Sequence, residues 1–394
     1  MNSKVNSKFN YNDKNYDQYA TETELEALES ARNNGGSATK AGLELGKSRS
    51  TVKGYIKRIE NKAIASGYIP SNGMSEPFDS SLLHVKSTVH VKDGKVTQYW
   101  ARLQPDLIKY EKARKQALLD FVKDLPKIKP TKYTKKPAKD LLACYPLGDP
   151  HIGMMAWGEE SGQDWDLKIA TKAFTGVFHR LVNSTPSCEQ AVIFNLGDYF
   201  HVDNMRGMTE RGGHSQDTDG RFAKMKRVGY KIMRMMIEHA LEHHKKVRVI
   251  NSIGNHDDTG AIDMAIALAE IYSDEPRLTV DTAPTPFHYV RFGDNIIGSH
   301  HGHTTKIDKL PLVMATDRSK DWGETKNRYW YTGHIHHDSM KEFSGCKVES
   351  FRTLAAKDAY ATWHGYRAGQ DSKAIVIHKE YGEIERHTVN LGMI

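Results

Sequence analysis

Cysteine is scarce in this chain. Its three cysteines, Cys144, Cys188 and Cys346, lie far apart in 394 residues. An odd number of cysteines at wide spacing cannot form the disulfide framework that stabilises small secreted domains. We therefore expect reduced thiols and a cytoplasmic protein.

Long hydrophobic runs are also lacking. No segment approaches the roughly 18 consecutive apolar residues of a membrane-spanning helix. The first twenty residues are polar and contain no apolar core of a secretory signal. A membrane protein is therefore not expected. The hydrophobic content of 38% still allows a sizeable core, and 394 residues suggest two or three domains.

Acidic residues are under-represented in the first third of the chain. Residues 1–140 contain 26 Lys and Arg against 16 Asp and Glu, whereas the remainder contains 30 against 33. The basic excess therefore belongs to the N-terminal part. This asymmetry favours binding of a polyanion there, with a merely solvated basic surface as the alternative.

The N-terminal part is predicted to contain a DNA-binding domain. Residues 1–20 are polar and biased in composition, which predicts a disordered tail. Residues 21–70 predict a helix followed by two more helices across a tight turn, which is the helix-turn-helix arrangement. The outward face of the last helix would present Arg49, Ser50, Lys53, Lys57 and Arg58. Such positions contact base edges and phosphates in this motif; a protein-binding helical domain is the alternative.

A connector and a linker follow. Residues 71–125 predict a β-hairpin around Asp93-Gly94 and a helix from Pro105 to about residue 124. Residues 126–140 contain six Lys and three Pro and predict a semi-rigid linker that could also contact phosphates.

Five apolar runs within residues 141–394 end in residues that can bind metal or transfer a proton. These residues are Asp149 and His151; Asp198 and His201; Asn255, His256 and Asp257; His300, His301 and His303; and His334, His336 and His337. Ligands of open α/β sheets bind at the carboxyl ends of strands. The pattern therefore predicts a metal site along one edge of a sheet.

The motif order D-x-H, G-D, G-N-H-D, H-G and G-H-x-H resembles the calcineurin-like metallophosphoesterase superfamily over roughly residues 141–340. Together with the helix-turn-helix and the stretch "VESFRTLAAKDA", the chain is similar to a group of phage-encoded phosphoesterases. The resemblance implies an α/β fold. Residues 141–394 would form a four-layer αββα sandwich, preceded by the small helical domain and the hairpin.

The resemblance further implies two divalent metal ions. The ligands that it implies are Asp149, His151 and His336 for the first metal, Asp198 between the two, and Asn255, His301 and His334 for the second. His300 is the alternative to His301. Mixed imidazole and oxygen ligands suit manganese, with iron, zinc, nickel or cobalt as alternatives.

Two such metals stabilise the attacking and leaving oxygens of a phosphoryl displacement and lower the pKa of a bound water. The resemblance assigns His256 to assist the leaving group. Asp257 would orient His256 by accepting a ring N–H, or would cap the helix that follows; both roles stay open.

The substrate is predicted from the surroundings of the metal motifs. "GDYFH" resembles a motif of DNA double-strand-break repair nucleases, in which the equivalent of His201 positions the scissile phosphate. The long polar stretch 202–221 is typical of a binding loop and offers Arg206 and Arg211 for substrate phosphates. His303 would contact substrate or support a metal ligand.

These features predict a metal-dependent phosphodiesterase, a DNA nuclease of phage origin acting in the host cytoplasm. A phosphatase or nucleotide hydrolase addressed to DNA is one alternative. A DNA-binding regulator with an inactive phosphoesterase domain is another. A homodimer is considered, because helix-turn-helix proteins often act as dimers.

Overall fold

The computed structural model describes residues 9–65, 83–92, 95–105, 107–123, 132–209 and 213–394. The predicted Asp93-Gly94 turn, Arg211 and linker residues 126–131 lie outside these ranges. The chain divides into two compact units, residues 1–114 and 115–394, called unit 1 and unit 2. This division falls ahead of the expected linker.

Unit 1 contains three α-helices whose first turns are capped by side chains. They are α1 (Glu22–Asn33), α2 (Ala38–Glu44) and α3 (Arg49–Ala65). Thr21 and Glu24 form a reciprocal capping box at α1. The Ser37 hydroxyl accepts from an amide of α2, and the Ser48 hydroxyl accepts from an amide of α3.

Apolar residues at helical spacing hold these helices together. Val52, Ile56 and Ile59 of α3 are buried, as the pattern predicts, and Leu28 of α1 and Ala41 of α2 are buried with them. The connection between α2 and α3 contains Gly46 at φ +62°.

The prediction of a disordered tail over residues 1–20 is wrong for residues 9–20. Lys14–Tyr19 form a 3-10 helix, and Tyr16 is fully buried against the ring of Phe9, 4.4 Å between centroids. Arg32 of α1 donates to the carbonyls of Tyr11 and Asp13. The aromatic residues of this polar segment pack into an apolar cluster. The composition of the segment does not reveal that cluster.

The connector forms the predicted elements. Strands β1 (Leu83–Lys92) and β2 (Lys95–Pro105) pair antiparallel, with Lys92 opposite Lys95. Helix α4 (Leu107–Lys123) follows, within the predicted range.

Unit 2 contains two sheets. The first has six strands in the order β13-β12-β3-β4-β5-β6, and the strands from β3 to β6 are parallel. Its strands are β3 (Ala138–Leu147), β4 (Cys188–Asn195), β5 (Lys246–Asn251), β6 (Leu278–Val280), β12 (Asp371–His378) and β13 (Gly382–Asn390). The second has five strands in the order β10-β11-β9-β8-β7. Its strands are β7 (His288–Phe292), β8 (Asn295–Ser299), β9 (Asn327–Thr332), β10 (Ser339–Phe343) and β11 (Cys346–Ser350).

Seven α-helices connect these strands in the described part of unit 2, and a 3-10 helix (Leu391–Met393) follows β13. The α-helices are α5 (Gly158–Ser161), α6 (Leu167–Ser184), α7 (Phe222–His243), α8 (Asp258–Ile271), α9 (Leu310–Asp317), α10 (Ser319–Glu324) and α11 (Ala359–Trp363). No described helix is long and apolar enough to cross a membrane.

Alternation along the strands divides their side chains between separate cores. On β3, Ala143 and Tyr145 pack in the core that includes α6, α7 and α8. Leu142 and Cys144 face the opposite core, which they share with residues of the second sheet such as Tyr331. A third core lies between the second sheet and α9.

One expectation about the sheets is wrong. The strands that end in metal-binding residues belong to two sheets instead of one, because β8 and β9 pair with each other and not with β3, β4 or β5. The C-terminal hairpin β12–β13 extends the first sheet, through the antiparallel pairing of β12 with β3. Periodicity predicts that a strand exists but not its neighbour.

Candidate metal centre

Five strand ends bring the predicted metal ligands together. Strands β3, β4 and β5 of the first sheet and β8 and β9 of the second each end a few residues before a ligand. Groups whose ligand atoms lie within 4.8 Å of one another are Asp149, His151 and His336; Asp198, His301 and His334; and His151, His201 and His256.

His301 contacts the second group of ligands directly. Its Nε2 lies 3.1 Å from Asp198 Oδ2 and 3.1 Å from Asn255 Oδ1. Its Nδ1 donates to the carbonyl of Leu196 at 2.8 Å, so Nε2 is the nitrogen that faces the site. His300 faces elsewhere, because its ring nitrogens bond Thr304 and the amide of Gly302. The geometry therefore favours His301 over His300 as the ligand.

The first group is arranged around Asp149. His336 Nε2 lies 3.5 Å from Asp149 Oδ1 and 3.1 Å from His151 Nε2. Asp149 and His151 are buried, whereas His336 is half-buried and faces the open side of the group.

The backbone at these positions is strained. Among the described non-glycine residues, those with positive φ are five of the predicted ligands: Asp149 (44°), His151 (44°), Asp198 (49°), His334 (72°) and His336 (56°). Such conformations cost of the order of 1–3 kcal/mol each and cluster at functional sites. Each of these residues follows a strand, and its positive φ turns the side chain back into the site.

Hydrogen bonds maintain the strained turns. The amide of His334 donates to both carboxylate oxygens of Asp149, at 2.8 and 2.9 Å, and the amide of His256 donates to Asp198 Oδ1 at 2.8 Å. The Thr353 hydroxyl donates to the carbonyl of Asp149 at 2.6 Å. Thr353 lies in the stretch "VESFRTLAAKDA", but its role was not predicted, because it acts across 204 residues.

His256 is oriented by a backbone carbonyl. Its Nδ1 donates to the carbonyl of His201 at 2.9 Å. Asp257 stands at the N-cap position of α8, but neither of its predicted side-chain hydrogen bonds forms. Its Oδ2 accepts from the amide of Phe200 at 3.0 Å, and its side chain makes no cap bond to α8. Burial, followed by the nearby carboxylates of Asp198 and Asp203, raises the pKa of Asp257 to about 8.

The cap of α8 comes from Asp203, a residue that the sequence analysis missed. Asp203 Oδ2 accepts from the amides of Thr259 and Gly260, both at 2.8 Å. No local signal could reveal this bond, because Asp203 lies in a loop more than fifty residues before α8.

His201 lies against a predicted metal ligand. It is buried, and its Nδ1 lies 3.2 Å from His151 Nδ1. Burial, followed by His256, lowers the pKa of His201 to about 3. The prediction that His201 contacts the scissile phosphate stays a prediction.

The remaining residues predicted to contact substrate or DNA lie in several different parts of the structure. Arg206 is exposed in its loop, and the His303 ring lies 5.2 Å from that of His301. The residues predicted to contact DNA are all exposed on α3: Arg49, Ser50, Lys53, Lys57 and Arg58. Arg58 is already engaged, because its Nε lies 2.9 Å from Glu24 Oε1 and its guanidinium covers the Tyr55 ring.

The two buried carboxylates of the site are surrounded by histidine side chains. The ion pairs of Asp149 and Asp198 among the described residues are all with histidine. Burial alone would lower the pKa of His301, but Asp198 and then Asp149 raise it to about 9. Buried carboxylates need positive partners. Oxygen and imidazole donors of this kind fit divalent metals.

No family model and no curated protein matches the chain. Among solved structures, it is similar to a predicted phosphoesterase from Streptococcus pneumoniae, at 12% identity and TM-score 0.30 over 65% of this chain and 92% of that one. Zinc-bound Vps29 from Entamoeba histolytica gives 11% identity and TM-score 0.27, over 63% and 99%. PhoD gives 10% identity and TM-score 0.31, over 66% and 70%. Likeness at this level assigns neither an activity nor a substrate to this chain.

Proposed function

We propose that the chain is a two-metal phosphodiesterase that cleaves nucleic acid, with DNA as its substrate. The observation that carries the proposal is the convergence of imidazole and amide donors on two buried carboxylates, Asp149 and Asp198. Asp149, His151 and His336 would hold one metal, and Asn255, His301 and His334 the other, with Asp198 between them. When bound, two metals stabilise both the attacking and the leaving oxygens of an in-line displacement at phosphorus.

His256 would protonate the leaving oxygen. Because Nδ1 donates to the carbonyl of His201, Nε2 is the nitrogen that holds and transfers a proton. The His256 ring lies 4.8 Å from the ring of His151, between centroids, so the proton donor is beside the ligands of the first metal.

Unit 1 favours DNA as the substrate. Helix α3 exposes a basic face with Arg49, Lys53 and Lys57, which suits contact with phosphates. The proposal includes a helix-turn-helix domain at residues 21–70 and an αββα sandwich at residues 141–394. It also includes manganese as the metal and the host cytoplasm as the location.

Degradation of end-labelled single- and double-stranded DNA with Mn²⁺ tests the proposal. Wild type should cleave, Asp198→Ala should abolish cleavage, and His256→Ala should lower kcat by roughly 10²- to 10⁴-fold. His387→Ala is the matched control, because His387 lies on the edge strand β13. Intact DNA with turnover of a phosphate monoester would instead identify a phosphatase.

The role of His256 is tested with leaving groups of different basicity. A nitrophenolate leaves without protonation, whereas a sugar hydroxyl needs a proton. His256→Ala should therefore lose much more activity on DNA than on a nitrophenyl diester. Equal losses of activity on both substrates would contradict the role of His256 as proton donor. They would not contradict the proposed metal centre.

A further inference from the structure

Five Phe, Tyr or Trp side chains are exposed in the described part of the chain. Four of them lie on two segments of unit 2: Trp157 (58% exposed), Tyr360 (62%), Trp363 (82%) and Tyr366 (58%). The fifth, Tyr381 (73%), lies in the β12–β13 turn. Exposed apolar groups that cluster mark a binding surface more often than groups that occur singly. We call the group of four the aromatic surface.

Contacts hold the aromatic surface in place. Trp363 Nε1 donates to Glu160 Oε1 at 3.3 Å, which ties α11 to α5. The ring of His364 lies 4.0 Å from that of Tyr360 and 6.1 Å from that of Tyr366, nearly parallel to the latter. The rings are therefore ordered while their outer faces stay accessible.

Both segments of the aromatic surface begin at the metal centre. The segment with Trp157 follows His151, and Met155 within it donates its amide to the carbonyl of Asp217. The segment with Tyr360 follows Thr353, whose hydroxyl donates to the carbonyl of Asp149. Trp157 follows His151 by six residues and Tyr360 follows Thr353 by seven, so the two segments leave the metal centre shortly before they present the aromatic side chains.

The chemistry of the aromatic surface indicates which kind of ligand it binds. Flat aromatic faces stack nucleobases without regard to sequence, and only unpaired bases have their faces free. The Glu160 carboxylate lies beside Trp363, and an apolar protein partner would have to desolvate it. A base stacked on the outer face of Trp363 leaves that carboxylate in water.

We propose that the aromatic surface binds unpaired nucleobases of a single-stranded segment next to the metal centre. This inference rests on the proposed function, because it names the form of nucleic acid that the site accepts.

Binding of a fluorescein-labelled 12-nucleotide single strand to the full-length, metal-free protein tests the inference apart from cleavage. Trp363→Ala should raise Kd roughly 5- to 100-fold, as expected when one stacked base is released. Trp363→Phe should retain most of the affinity, because it keeps a ring. Abasic sites in the oligonucleotide should weaken wild-type binding and remove the difference between wild type and Trp363→Ala.

Tyr381→Ala is the matched control, an exposed aromatic outside the aromatic surface, and should bind as wild type. Equal Kd values for Trp363→Ala and Tyr381→Ala would overturn the inference. Equal weakening of fully paired duplex by Trp363→Ala would overturn it too, since paired bases cannot stack there. A change in sedimentation coefficient of Trp363→Ala would identify a contact between copies instead. Each of these results is independent of whether DNA is cleaved.

Discussion

Gly254 lies against Asp198 so closely that a β-carbon on it would be 2.2 Å from both the backbone nitrogen and Oδ1 of Asp198. The next atom, Asp257 Oδ1, would be 2.7 Å away. No side chain fits at such distances. The glycine of "GNHD" is therefore required by the carboxylate on the neighbouring strand end.

Gly254→Ala should displace Asp198 and lower the affinity for Mn²⁺ at least about tenfold, a loss comparable to that from disturbing groups around a metal ligand. Isothermal titration measures this affinity. Gly323→Ala in α10 is the control, because a β-carbon there meets no atom within 4 Å. That variant should bind metal as wild type and gain about 0.5–1 kcal/mol of stability. Equal metal affinity of the two variants would contradict the packing argument.

His201 should act on metal binding through His151. Nδ1 of His201 lies 3.2 Å from Nδ1 of His151 and thereby contacts the ring of a predicted metal ligand. Partners of metal-ligating histidines contribute roughly 10- to 100-fold in affinity. His201→Gln should lose this factor, whereas His201→Asn should retain more of it, because its amide oxygen occupies the position of Nδ1. The same titration checks both, and the opposite ranking would show that Nδ1 is not the group that matters.

Asp203 should link helix stability to the site. Asp203→Ala removes the cap of α8, and Asp166→Ala removes the cap of α6, where Asp166 accepts from the amide of Ile169 at 2.6 Å. Asp166→Ala should lose about 1 kcal/mol of stability in urea unfolding. Asp203→Ala should lose more, because it also removes the ion pair between Asp203 and Lys226 Nζ at 3.3 Å. Only Asp203→Ala should also lower metal affinity, because α8 begins at Asp258, two residues after His256 and three after Asn255. Equal metal affinity of both variants would show that the start of α8 does not position the ligands.

Glu24 should make unit 1 sensitive to acid. Burial alone would raise the pKa of Glu24, but hydrogen bonds from Lys62, Thr21 and Arg58 lower it to about 2. Because the folded pKa lies below the ordinary value of about 4.5 for a glutamate side chain, the charge stabilises unit 1 above that pH. This contribution is lost as the pH falls toward 2.

Glu24→Gln should therefore destabilise unit 1 by about 1 kcal/mol at pH 7, a modest value because its basic partners are half exposed. Amide exchange in α3 should be roughly fivefold faster than in wild type at pH 7. The difference should vanish toward pH 2. Glu29→Gln, an exposed position of α1, is the control. A difference that persists in acid would assign the effect to packing rather than to charge.

Much of the site could be predicted from local pattern. Apolar runs that end in glycine and a metal-binding residue identify Asp149, Asp198, Asn255 and His334, because strand ends meet at a sheet edge. The burial of Val52 and Ile56 follows from helical spacing. These features depend on residues close together in the chain, which is why composition and periodicity report them.

Other features depend on partners that are distant in sequence. The capping of α8 by Asp203, the bond of Asp257 to Phe200 and the choice of His301 over His300 each join residues from separate elements. The same holds for the distribution of the ligand strands between two sheets. Local sequence determined which side chains stand at each strand end. Only the packing of the strands decided which of them meet, because a hydrogen bond or ion pair forms between whatever groups the tertiary fold brings within about 3 Å.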